Sequence, residues 1–141
     1  MDVYTAPVSR YMAKKVITAT VSQTVQSVCK AMYENNIGSV VMVKRTMTGV
    51  VPVGIITERD IVKIIGSTDL FVGQAAIREF MSTALVTISA RTTLSSAIDI
   101  MNEKKIRRLP ITRKNKDSVD KLVGIISDRD ILKAIGKSKK D

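Results

Sequence analysis

Within this chain one stretch of sequence occurs twice, and that constrains the fold more than any other feature. Gly54-Ile55-Ile56-Thr57-Glu58-Arg59-Asp60-Ile61 returns as Gly124-Ile125-Ile126-Ser127-Asp128-Arg129-Asp130-Ile131. From Gly54 to Gly66 against Gly124 to Gly136, nine of thirteen positions are identical. Upstream, Met12, Thr18, Thr24, Ser27, Met32, Glu34 and Ile37 recur 69 residues later as Met81, Thr87, Thr93, Ser96, Met101, Glu103 and Ile106, and the offset becomes 70 in the loop before the glycine motif. Self-similarity at a fixed period of this size means two copies of one supersecondary unit. The copies are expected at residues 8–66 and 77–136, with a less patterned linker at 67–76 and a basic tail at 137–141. With 141 residues the two form one compact module, because the length does not support two full domains.

Each copy opens on a short β-branched stretch, Val16 to Thr18 or Leu85 to Ile88, followed by a polar turn. A helix comes next, with apolar residues at i, i+3, i+4 and i+7: Val25, Val28, Cys29 and Met32, then Leu94, Ala97, Ile98 and Met101. Thr24 and Thr93 stand where helix caps are wanted. Ser39 to Val43 is an apolar run suited to a strand buried on both faces, and Leu109 to Thr112 is its counterpart. Pro110 argues for a strand start or an edge there. Strands at Val50 to Ile56 and Lys121 to Ile126 then feed short helices expected to end at Gly66 and Gly136. The pattern is β-α-β-β-α, twice, and the fold class is α+β.

The chain has no histidine, which excludes a Ser-His-Asp triad, a Cys-His pair and imidazole metal sites. It also lacks a phosphate-binding Gly-x-x-x-x-Gly-Lys-Ser/Thr loop, a nucleophile elbow and a metal-ligand cluster, so the expectation is that it is not an enzyme. Cys29 cannot form an internal disulfide, and its apolar helical stripe makes it a core residue. No signal peptide precedes the first copy and no apolar run reaches the ~18 residues of a membrane span, so a cytoplasmic location with no membrane contact is expected.

At Thr57 and Ser127 a strand hands over to a helix, so a hydroxyl, free amide N–H groups and the positive end of the helix dipole converge. Three residues on, Asp60 and Asp130 can each accept two hydrogen bonds, as the 2′ and 3′ hydroxyls of a ribose would require. The same spacing also makes a capping box, in which the hydroxyl caps the helix and the acid reaches back. Spacing alone favours the cap, and repetition does not decide the matter, because a duplicated unit copies its caps along with its sites.

Two βαββα units, each with Gly-Ile-Ile-Thr/Ser-x-Arg-Asp at the last strand, and Ile106-Arg107-Arg108-Leu109-Pro110 opening a strand in the second, resemble a tandem pair of CBS domains over residues 8 to 136. The resemblance implies two repeats packed through their sheets about a pseudo-twofold axis, assembly into a homodimer, and adenosine-type ligands in clefts between the repeats. It implies a first cleft made of Ile55, Thr57, Arg59 and Asp60 with Leu85, Val86, Thr87, Ile106, Arg107 and Arg108. A second cleft would join Ile125, Ser127 and Asp130 with Val16, Ile17, Thr18, Ile37, Gly38 and Ser39. In the first, apolar Val86, Ile106 and Ile55 would hold an adenine face while backbone groups of the first strand read its edge. Arg107 and Arg108 offer forked donors to phosphate, where the first copy has the uncharged Gly38 and Ser39. Family members usually carry His-Arg at that place, so the role of Arg107 stays open. The expected ligand is AMP, ADP or ATP, sensed as a regulatory signal and not used as a catalytic cofactor, with the response passed to a regulated partner protein.

The net charge is +10 and uneven: residues 1–70 carry 8 basic and 5 acidic groups, residues 71–141 carry 15 and 8. Lys104, Lys105, Arg107, Arg108, Arg113, Lys114 and Lys116 supply most of the excess, with Lys137, Lys139 and Lys140 at the end. A rival reading is therefore binding of nucleic acid or another polyanion through the second copy. Against it, Tyr4, Tyr11, Tyr33, Phe71 and Phe80 are the only aromatics and none is interleaved with the basic groups, so bases have no stacking platform.

Overall fold

The computed structural model describes residues 2–68, 72–81 and 84–139. The expected pattern is present in both copies. The first holds β1 (Thr18–Ala19), α1 (Val25–Asn35), β2 (Ser39–Thr46), β3 (Gly49–Thr57) and α2 (Glu58–Ser67). The second holds β4 (Ile88–Ser89), α3 (Leu94–Lys104), β5 (Arg108–Lys114), β6 (Asp120–Ser127) and α4 (Asp128–Ser138). Each copy forms a three-stranded sheet, in the order β1-β2-β3 or β4-β5-β6, with the outer short strand parallel to the middle one and the hairpin antiparallel.

Local chemistry places these elements. Thr24 and Thr93 cap α1 and α3 by accepting the Ser27 and Ser96 N–H at 3.1 Å. The predicted stripes face inward: Val25, Val28 and Met32 are buried in one core, Leu94, Ala97 and Met101 in the other. Cys29 is half-buried beside the first core, where desolvation raises its thiol pKa and keeps it in the unreactive neutral form. All five residues from Ser39 to Val43 are buried, as a strand covered on both faces requires.

Three local expectations need correction. α2 and α4 do not stop at Gly66 and Gly136 but run on to Ser67 and Ser138. Neither glycine has a positive φ, and a Cβ on either would meet nothing within 4 Å. Gly66→Ala and Gly136→Ala should therefore each stabilise the protein by about 0.5–1 kcal/mol, read as a higher urea midpoint at unchanged slope. The tail expected at 137–141 begins inside α4, with Lys139 as its C-cap; Lys140 and Asp141 lie outside the described residues. Pro110 is neither first in its strand nor on an edge: it is the third residue of β5, the middle strand. It is tolerated because its missing N–H faces the β4 side at a point before that pairing begins, which is at Ile88 with Ile111, while on the other side it keeps its place opposite Ile125.

The two compact units do not follow the order of the sequence. One comprises Met1–Val16 with Val86–Asp141, the other Ile17–Leu85. In the first unit, one-turn 3₁₀ helices at Val3–Thr5 and Val8–Arg10 lie against the second copy's elements, with Val3 and Val8 in its core. The Ala6 carbonyl accepts the Leu94 N–H at 3.0 Å, and the Val8 N–H donates to Thr92 at 2.7 Å. The other unit repeats the device 69 residues on: the Ala75 carbonyl accepts the Val25 N–H at 2.9 Å, and the Ile77 N–H donates to Gln23 at 2.7 Å. Each arm thus serves one of the amide donors that the first turn of a helix leaves without a partner. Of the stretch read as a linker, residues 69–71, including Phe71, lie outside the described residues. From Val72 onward it is a 3₁₀ turn and a bridge from Ala76 to Thr24.

Candidate functional site

The two strand-to-helix junctions singled out by the sequence have one geometry. At the end of β3, Thr57 caps α2: its Oγ1 accepts the Asp60 N–H at 3.3 Å, and Asp60 Oδ2 accepts both the Thr57 N–H at 2.9 Å and the Thr57 hydroxyl at 3.0 Å. At the end of β6, Ser127 Oγ accepts the Asp130 N–H at 3.1 Å. Asp130 Oδ2 accepts the Ser127 N–H at 2.9 Å and its hydroxyl at 3.0 Å. The capping reading of Thr-x-x-Asp and Ser-x-x-Asp is therefore correct, and it leaves chemistry over. One oxygen of each carboxylate is tied to the cap, while Oδ1 of Asp60 and of Asp130 accepts no hydrogen bond among the described residues. Both carboxylates are half-buried, fixed in direction and able to take two further donors.

Within each unit the start of the middle strand is brought to this junction. Ser39 is the register partner of Thr57, and the Glu58 N–H donates to the Gly38 carbonyl at 3.0 Å. In the other unit Arg108 is the register partner of Ser127, and the Asp128 N–H donates to the Arg107 carbonyl at 2.9 Å. So Gly38 and Ser39 border the Thr57–Asp60 end, while Arg107 and Arg108 border the Ser127–Asp130 end. Ser39 is buried, Arg108 half-buried, and Arg107 and Arg59 are exposed. Ile37 and Ile106 donate their N–H groups to Met32 and Met101 at 3.0 Å, which fixes the turn into each middle strand.

Of the other sequence-predicted positions, Ile17, Thr18, Ile55 and Leu85 belong to the unit of Thr57, and Val16, Val86, Thr87 and Ile125 to the unit of Ser127. Ile17 offers its carbonyl to the Val41 N–H at 3.2 Å. Ile125 has both backbone groups engaged by Ala13, at 2.9 and 3.0 Å. Sequence reasoning missed Ala13 and its neighbour Met12. The signal was Gly124, whose missing side chain lets residues 12 and 13 lie directly on β6. No group of three or more His, Cys, Asp or Glu able to hold a metal occurs among the described residues, and no described helix is long and apolar enough to cross a membrane.

Comparison with known proteins decides the family. The CBS-domain model matches twice, at residues 8–67 and 77–137. The chain belongs to the CBS-domain family. Among curated relatives, an uncharacterized protein of Methanopyrus kandleri is 36% identical over 84% of this chain and 57% of its own length. The chain thus spans a little over half of that relative. The CBS domain-containing protein YhcV of Bacillus subtilis is 33% identical over 85% of this chain and 79% of its own. Among solved structures, an uncharacterized conserved protein from Pyrococcus horikoshii superposes with a TM-score of 0.78 at 28% identity, covering 96% of this chain and 95% of that one. A CBS domain pair solved with 5′-methylthioadenosine and S-adenosyl-L-methionine gives a TM-score of 0.78 at 24% identity, over 94% of this chain and 97% of that one. The last likeness is one of fold.

Proposed function

We propose that this CBS pair is a regulatory module that binds an adenine nucleotide, AMP, ADP or ATP, and passes the binding on to a partner protein. The observation that carries the reading is the pair of half-satisfied carboxylates: Asp60 and Asp130 each cap a helix through Oδ2 and present Oδ1 without a partner, the arrangement a ribose diol fits. The adenosine-type ligands of the solved CBS pair support the class of ligand. In this reading the nucleotide is gripped by Thr57 and Asp60 with the Val86–Thr87 and Ile106–Arg108 segments. The second position, with Ser127 and Asp130, Ile17–Thr18 and Ile37–Ser39, takes from the other copy the uncharged Gly38 and Ser39 where the first takes Arg107 and Arg108. Arg107 and Arg108 therefore bias the module toward a phosphorylated ligand at the first position.

Signalling follows from linkage. A ligand held by elements of both repeats stabilises one relative arrangement of them, and a partner that prefers that arrangement gains affinity by the same factor. The module acts as a homodimer in the cytoplasm, without catalysis of its own.

The test is isothermal titration of the purified protein with AMP, ADP, ATP, S-adenosylmethionine and a single-stranded oligonucleotide at two salt concentrations. Saturable micromolar binding of one nucleotide, on the order of −8 kcal/mol, is the expected result. Asp60→Ala should weaken it about 100-fold, through loss of two hydrogen bonds to a charged acceptor, while costing only about 1 kcal/mol of stability through the lost cap. No nucleotide heat, with tight and steeply salt-dependent oligonucleotide binding, would replace this reading by polyanion binding through the basic second copy.

A further inference from the structure

The exchange of arms concentrates the charge of the chain. The unit Met1–Val16 with Val86–Asp141 carries 17 basic and 8 acidic groups, whereas Ile17–Leu85 carries 6 and 5. Part of that excess gathers at one end of the β4-β5-β6 sheet. Arg113 in β5 is the register partner of Lys121 in β6, so two cations stand directly opposite each other. The short strand β4 brings a third: Ser89 pairs with Thr112, the Ala90 N–H donates to the Thr112 carbonyl at 3.2 Å, and Arg91 follows. All three are exposed, and among the described residues no ion pair reaches any of them, while the neighbouring Lys114 is matched to Asp120 at 3.3 Å. Like charges directly opposite in an antiparallel pair oppose the pairing. The first copy avoids this: Lys44 faces Val51 at the matching register, and Ser22 stands where the second copy has Arg91. The Arg113–Lys121 pair works against its own hairpin, and its compensation has to come from an anion outside the fold.

We infer that this sheet end is where the regulated partner protein docks, through a short acidic segment whose carboxylates meet Arg91, Arg113 and Lys121. The inference rests on the reading of the chain as a regulatory module and deepens it, because it names the docking surface and the chemistry of the partner. An arginine fork pairs with a carboxylate through two parallel hydrogen bonds. Strands stand about 4.8 Å apart, so the three cations span roughly 10 Å, room for about two or three anionic side chains. A nucleic-acid surface commonly makes about 6–10 phosphate contacts, and here Asp117 and Asp120 interrupt any longer track of cations. Residues 86–141 also contain no aromatic side chain on which a base could stack. The surface is clear of the Ser127 cap: Arg108 is opposite Ser127, and Arg113 lies five residues on, about 16 Å away at ~3.3 Å per residue. Nucleotide and partner can therefore be bound at once, as a signal between them requires.

The experiment titrates the full chain with a fluorescein-labelled hexaglutamate peptide and with a duplex oligonucleotide, followed by anisotropy, and with AMP by calorimetry. Two double variants are compared with the wild type. Arg91→Ser with Lys121→Val installs the first copy's residues in the docking surface, and Lys104→Asn with Lys105→Asn does the same at the end of α3. Each removes two positive charges, so the second is a charge-matched control. The first is expected to weaken peptide binding 10-fold or more and the control less than 2-fold. AMP affinity should be unchanged in the first variant, and peptide-induced amide shifts in the wild type should be confined to residues 89–92 and 112–121. No peptide binding to a wild type that still binds AMP would overturn the inference and leave the nucleotide reading intact. Equal weakening by the two variants would overturn it as well, since the peptide would then be answering net charge alone. So would an oligonucleotide that binds more tightly than the peptide and loses its affinity in the first variant. Peptide docking at these residues in a protein that gives no heat with any nucleotide would remove the nucleotide reading and leave the surface standing. Lys121→Val relieves the like-charge pair, so the first variant is expected to fold with a urea midpoint no lower than that of the wild type.

Discussion

A chain shortened to begin at Ala13 should lose the fold of the unit built on β4, β5 and β6. The deletion removes Val3, Ala6 and Val8, which are 6%, 1% and 0% exposed. It also removes the carbonyl that receives the Leu94 N–H and the amides that donate to Thr92 and Ala90. Full burial of a valine contributes about 1.5–3 kcal/mol. With two valines gone, an apolar groove opened beside Leu94, and an orphaned donor at the head of α3, the loss is about 5 kcal/mol or more. That equals the lower end of the whole margin by which a domain this size is stable, about 5–15 kcal/mol. The measurement is a two-dimensional amide spectrum of the shortened chain. Dispersed signals from residues 86–139 should collapse, while those of residues 17–68 and 72–81, whose own arm is intact, persist. A spectrum unchanged at 86–139 would show that the arm is dispensable.

Gly124→Ala is the point substitution with the largest expected cost. A Cβ at this buried position would run into the Met12 side chain, and it would stand 3.0 Å from the Ala13 carbonyl oxygen. The methionine can swing aside, but the backbone oxygen cannot, because Ala13 is held to Ile125 by bonds in both directions, 2.9 and 3.0 Å long. Overpacking of this kind costs about 1–3 kcal/mol. For a chain of this size that lowers the melting temperature by about 3–10 °C. Calorimetry of Gly124→Ala beside Gly136→Ala makes the contrast direct, since the second glycine has open space where the first has backbone. Adding Met12→Ala should recover only part of the loss. Full recovery would place the whole clash on the methionine side chain and leave the backbone contact without weight.

The candidate site was legible to the extent that it is local. Thr57 and Asp60, or Ser127 and Asp130, are three residues apart, so a short motif specifies their hydrogen bonds and the structure reproduces them in both copies. The spacing could not say that capping uses one carboxylate oxygen and leaves the other. That depends on how the side chain turns once the helix has formed. The proline in β5 was legible as an anomaly and misread as an edge. Only the register shows that its missing donor falls in the gap before β4.

By itself the sequence determined the duplication, the order of elements in each copy, the apolar stripes of α1 and α3 and the threonines that cap them. The duplication is read directly from identity at offsets of 69 and 70 residues, and the others are set by spacing within about ten residues, where helical and strand periods act directly on the chain. Only the tertiary structure decided which arm packs with which copy. The arms at residues 2–16 and 72–81 stand 69 residues apart with matching contacts, and nothing local ties either one to the sheet that follows it in the chain. Each arm lies instead where its valines or isoleucine complete a core and its carbonyl meets an unpaired amide at a helix start. Burial and hydrogen-bond satisfaction are settled between residues about 50 to 110 positions apart, beyond the reach of any periodicity.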